Sequence, residues 1–130
     1  MNLKDQVLSI KQVQELQELG FDVSKYASMC WLKYINDEGE EYISLQETTK
    51  YCFLNNAVEP IPTLTIGDII EVLPNIINTE RFLYRLEINN PNIYYIDRLK
   101  NTGIYFYEKT LINNLFEALK WCIKNKHITI

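Results

Sequence analysis

Histidine occurs once, at position 127, and cysteine three times, at 30, 52 and 122, far apart and with no C-x-x-C pair. A Ser-His-Asp, Cys-His or multi-histidine zinc site would have to use His127, which lies beside Lys126 where positioning is weak. It reads instead as a cation at a helix end. An odd number of cysteines without metal or redox spacing fits buried, reduced thiols in a cytoplasm better than a disulfide framework. Glycine is also scarce, at 4 residues, and none falls into a G-x-G-x-x-G or G-x-x-x-x-G-K-[ST] phosphate cradle. No stretch approaches the roughly 18 apolar residues of a membrane span. The first residues, Met1 to Gln6, lack the apolar run of a signal peptide, so the expectation is a cytoplasmic protein with no membrane. Basic residues are outnumbered: the formal charge is −4 and the pI about 5.0, which counts against a dedicated nucleic-acid binder. The acidic run Asp37, Glu38, Glu40 and Glu41 lacks the D-x-[DN]-x-[DN]-G order of a calcium loop and reads as a solvated turn. No cofactor and no metal is implied.

What is present is an ordinary globular composition. Hydrophobic residues make up 47% and charged residues 23% of 130 positions, enough for one core and one domain spanning 1–130. The chain carries no repeat and no linker. Ser9 with Gln12 forms a capping box for a helix over Ile10–Leu19, and Gly20 is placed to end it with Phe21 folding back. A strand over Met29–Ile35, a turn at 37–40 and a returning strand at 41–45 make a hairpin. Residues 46–62 are poorly patterned; Tyr51–Leu54 is a candidate strand, and Pro60 and Pro62 hold their neighbours extended. Thr65, with Asp68 three residues on, caps a short helix ending near Pro74. Three strands follow, over Phe82–Ile88, Ile93–Leu99 and Ile104–Glu108, joined by short turns. A last amphipathic helix over Leu111–Asn125 buries Ile112, Leu115, Phe116, Leu119, Cys122 and Ile123. The tail from His127 alternates as a short edge strand does. The fold class expected is α+β, in the order α-ββ-α-βββ-α, with a mainly antiparallel sheet of hairpin plus three-strand meander and three helices packed on it.

Two features bear on function. Tyrosine is abundant, and Tyr84, Tyr94, Tyr95, Tyr105 and Tyr107 concentrate on the last three strands. Together with Arg85 and Arg98 they form either a water-facing β-surface, a platform for bases or a protein interface. On the last helix, Trp121 shares its face with Asn114, Glu117 and Lys124, nearly opposite Ile112 and Leu119. Such an indole is either covered by a loop or offered to a partner, and the candidate interface is Trp121, Glu117 and Lys124 with Tyr94, Tyr95, Tyr105 and Tyr107.

Three stretches taken in order carry a resemblance: Leu16–Ser24 with Ser28–Trp31, then Pro62–Ile70 with Leu73-Pro74, then Ala118–Asn125. They resemble a group of small proteins of gut Bacteroides-type bacteria and their phages or mobile elements, a group with no assigned activity. The resemblance implies origin and context, and carries no functional residue. With no convergent catalytic set and a surplus of aromatics, the expected function is a non-enzymatic accessory or regulatory protein that binds another protein. An inhibitor of host defence is one specific form of it. The rivals are a small enzyme with a carboxylate or tyrosine site, and a single-stranded nucleic-acid binder on the Tyr-rich sheet. A homo-oligomer is left open.

Overall fold

The computed structural model describes residues 3–47 and 59–129. The candidate strand at Tyr51–Leu54 and Cys52 lie outside the described residues. The chain divides into two compact units, Met1–Asp68 and Ile69–Ile130. The α+β class, the antiparallel pairing and the expected order of elements are all present, with the strands in two sheets of three and four.

In the first unit α1 spans Ile10–Glu18, and the three-stranded sheet is built from β1 (Met29–Ile35), β2 (Glu41–Glu47) and β3 (Glu59–Thr63) in the order β2-β1-β3. Ser9 Oγ accepts from Gln12 N at 3.2 Å while Ser9 N donates to Gln12 Oε1 at 3.0 Å, the reciprocal capping box. At the other end Gly20 takes φ 85°, Gly20 N donates to Gln17 O and Phe21 N to Leu16 O. This is a Schellman closure, and it buries Phe21 beside Leu16. The core gathers Leu8, Val13, Leu16, Val23, Leu32 and Leu64. Its polar groups are matched: Leu8 O accepts from Trp31 Nε1 at 2.8 Å and from Thr63 Oγ1 at 2.7 Å, while Leu8 N donates to Leu64 O. β3 falls where sequence pattern was weakest, because Pro60 and Pro62 mask its alternation. Both prolines have the same parity, so their missing donors lie on the side away from β1 and the ladder survives.

Helix α2 (Ile66–Val72) is capped as its sequence predicts. Asp68 N donates to Thr65 Oγ1, and Asp68 Oδ2 accepts from Thr65 N and from the amide and hydroxyl of Ser28.

The second unit is a meander, β4 (Ile76–Asn78), β5 (Leu83–Asn89), β6 (Asn92–Asp97) and β7 (Thr102–Phe106) in sequential order, with α3 (Leu111–Lys124) packed on β6 and β7. Along β6, Ile93, Tyr95 and Asp97 are buried while Asn92, Tyr94 and Ile96 are half-buried, the period of two expected of a sheet covered on one face. The expected strand over Ile93–Leu99 begins one residue and ends two residues earlier, and that over Ile104–Glu108 is shifted two residues N-terminally. Asp97 is the reason. Its carboxylate, 4% exposed, accepts from Leu83 N at 3.0 Å and Lys100 N at 3.1 Å, which closes the turn at 98–101. Those amide bonds, that from Leu83 foremost, hold the Asp97 carboxyl below its ordinary pKa.

The tail does not form the expected edge strand over 127–129. Instead α3 ends in a second Schellman closure: Lys126 N donates to Ile123 O and His127 N to Cys122 O, with Lys126 at φ 60°. Lysine there bears a left-handed strain that Gly20 avoids in α1. Lys126→Gly should therefore raise stability by about 1 kcal/mol, read as a shift in urea midpoint.

Candidate functional site: an open tyrosine face

The pleat of the four-stranded sheet sorts its side chains into two sets. Opposite pairs Ile76↔Arg85, Arg85↔Ile96, Glu87↔Tyr94, Tyr94↔Tyr105 and Ile96↔Gly103 place one set on the face away from α3. Ile77, Tyr84, Leu86, Ile93, Tyr95, Ile104 and Phe106 form the other set.

The face away from α3 is open. Tyr107 is 66% exposed, Ile76 50%, Tyr105 42% and Leu83 38%. On its β6–β7 side it carries a three-ring cluster. Tyr105 and Tyr107 stack with centroids 5.8 Å apart and planes 7° apart, and Tyr94 meets each edge-on, at 5.4 and 6.1 Å. Packing of the rings raises the Tyr107 hydroxyl pKa by desolvation, and the Tyr94 and Tyr105 hydroxyls push it the same way. The group is therefore a neutral phenol near pH 7, able to give and accept hydrogen bonds. Arg98 lies over the same face and donates to both carboxylate oxygens of Glu87, at 2.5 and 2.7 Å. Gly103 is required where it stands: a Cβ there would sit 2.8 Å from Tyr95 O and 2.9 Å from Ile96 Cγ1, and the Tyr105 ring leans over the space.

Of the residues singled out in the sequence, the structure brings Tyr94, Tyr105 and Tyr107 together on this face. Tyr95 is fully buried on the opposite one, where its hydroxyl donates to Pro74 O at 2.8 Å and its pKa is raised, chiefly by burial. Trp121 also belongs to that side. It is half-buried, with ring centroids of His127 at 5.0 Å, Tyr95 at 5.6 Å, and Tyr84 and Phe106 at 6.4 Å. The polar residues that marked its helix face are not all solvent-facing: Asn114 is fully buried. Glu117 is half-buried and pairs with Lys120 at 3.1 Å, and Lys124 is exposed. Sequence reasoning missed Ile76, Leu83 and Ile96, whose place on the face depends on register, and Gly103, which pattern alone assigned to a turn.

The remaining chemistry-bearing groups are quiet. Burial pushes the Cys122 thiol up to about 11, against a smaller opposing effect of the Tyr95 hydroxyl, and also raises Cys30. His127 is lowered by burial and is neutral near pH 7. Among the described residues no group of three or more His, Cys, Asp or Glu could hold a metal ion, and no helix is long and apolar enough to cross a membrane. No family model, no curated protein and no solved structure matches the chain.

Proposed function

We propose that this chain is a non-enzymatic accessory protein that acts by binding another protein through the open face of its four-stranded sheet. The observation that carries the reading is the cluster of half-buried Tyr94 with exposed Tyr105 and Tyr107, on the same sheet face as exposed Ile76 and Leu83 and with the Arg98–Glu87 pair at its side. Tyrosine and arginine around an apolar centre are the residues enriched at protein interfaces, and rings already locked against one another lose little entropy on binding.

The nucleic-acid reading fits this face less well. A base platform needs free ring faces and unpaired cations. Here Tyr105 and Tyr107 cover one another, and of the two arginines on the face Arg98 is engaged by a carboxylate, leaving Arg85 as the cation open to solvent. An enzymatic reading calls for an acid whose pKa is raised toward neutrality. The Asp97 carboxyl is held down instead, by backbone amides.

Incorporating p-benzoylphenylalanine in place of Tyr107 tests the proposal in the native host. Irradiation should give adducts that resist nuclease, yield to protease and are absent when the same group replaces exposed Lys11 on α1. Equal labelling from both positions, or adducts that nuclease removes, would overturn it.

A further inference from the structure

Four strand edges bound the two sheets, and they are not alike. Among the described residues, the outer edge of β3 carries Pro60 and Pro62, β2 bears a glutamate at each end, and β4 is only three residues long. Each is a recognised way of blunting an edge. β7, with the sequence Thr102-Gly103-Ile104-Tyr105-Phe106, has no charge, no proline and no bulge.

Register shows which groups β7 leaves open. The two-residue turn between β5 and β6 makes Asn89↔Asn92 a hydrogen-bonded pair, so Asn92, Tyr94 and Ile96 bond toward β5, and Ile93, Tyr95 and Asp97 toward β7. Leu86 N, of opposite parity on β5, accordingly donates away from β6, to Asn75 O. Thr102, Ile104 and Phe106 therefore spend their amides and carbonyls on β6. Gly103 and Tyr105 direct theirs outward, and neither has a backbone partner among the described residues.

We infer that β7 is a self-pairing edge: it docks antiparallel against β7 of a second copy of this chain, joining two four-stranded sheets into one of eight. The occupant follows from the strand's own symmetry. A two-fold axis at Ile104 sets Gly103 opposite Tyr105 of the second copy and Tyr105 opposite its Gly103, so the free donors and acceptors of both chains match. The strand itself is neutral, so no like charges meet across the axis. The inference stands apart from the role of the tyrosine face, since an edge can pair whether or not that face takes a partner.

Sedimentation velocity of the whole chain tests it. The wild type, a 15.4 kDa chain, should show a concentration-dependent dimer. Tyr105→Pro removes one outward amide and no ladder bond, and should weaken association at least about tenfold, the effect of losing one good hydrogen bond at each of two symmetric positions. Tyr105→Val removes the ring but keeps the amide, and should still dimerise. Amide exchange in the wild type adds a reading that needs no variant. Gly103 and Tyr105 amides should become protected as concentration rises, while that of Ile104 is protected throughout. A wild type that stays monomeric into the hundred-micromolar range (about −5.5 kcal/mol or weaker) would overturn the inference. So would Gly103 and Tyr105 amides indifferent to concentration, or a dimer that Tyr105→Val abolishes.

Discussion

Trp121→Ala should destabilise the protein by about 3 kcal/mol, close to the effect of Leu119→Ala. The indole is half-buried, but it fills the space bounded by Tyr84, Tyr95, Phe106 and His127, and four ring contacts go with it. Alanine leaves a cavity that the three sheet-anchored rings, Tyr84, Tyr95 and Phe106, cannot close. Helical phase taken alone leads to a different number, since an indole on a solvent face changes stability by no more than about 0.5 kcal/mol when removed. Urea melts of Trp121→Ala and Leu119→Ala distinguish the two directly. A loss for Trp121→Ala below about 1 kcal/mol would mean that the ring contacts contribute little.

Asn114→Ala should have a comparable effect, again about 3 kcal/mol, through polar groups rather than volume. Asn114 is fully buried on α3, and its amide ties together two segments that no regular ladder holds. Nδ2 donates to Pro91 O at 2.6 Å and to Glu108 O at 3.1 Å, and Oδ1 accepts from Glu108 N. No buried side-chain polar atom among the described residues is left without a partner. Alanine orphans one amide and two carbonyls near the helix, each worth roughly 1 kcal/mol or more when desolvated and unpaired. Asn114→Leu fills the volume and should rescue little. A melt of Asn114→Leu that matches the wild type would show that these bonds contribute nothing net.

These two residues also show where sequence and structure part. Elements specified by short-range chemistry were legible: Ser9 with Gln12, Gly20 with Phe21, and Thr65 with Asp68 each occupy the caps their types predict. The antiparallel class followed from short turns. What sequence could not show was long-range. Asn114 looks like any polar residue on a helix surface until the loop at 107–110 and the Asn90-Pro91 turn supply its partners, and only then does its face become an inside face carrying Trp121. Tyr94 and Tyr95 are neighbours of the same type, yet the pleat sends one to an open face and the other to full burial. Which is which depends on the register that Asp97 fixes through Leu83 and Lys100, fourteen and three residues away in the chain. β3 was hidden because two prolines are as compatible with loop as with a protected edge strand.

The tyrosine face remains the centre of the functional account, and it separates cleanly from stability. Tyr107 is largely exposed and Leu83 more than a third exposed, so Tyr107→Ala and Leu83→Ser should leave the melting curve nearly unchanged. The most direct measurement is the affinity of the two variants for the protein captured by the photoreactive group at position 107, by calorimetry with the wild type beside them. An anchoring tyrosine of an interface contributes about 2 kcal/mol, so Tyr107→Ala should bind about thirtyfold more weakly, with Leu83→Ser weakened in the same direction. Wild-type affinity in both variants, each folded as before, would contradict the account.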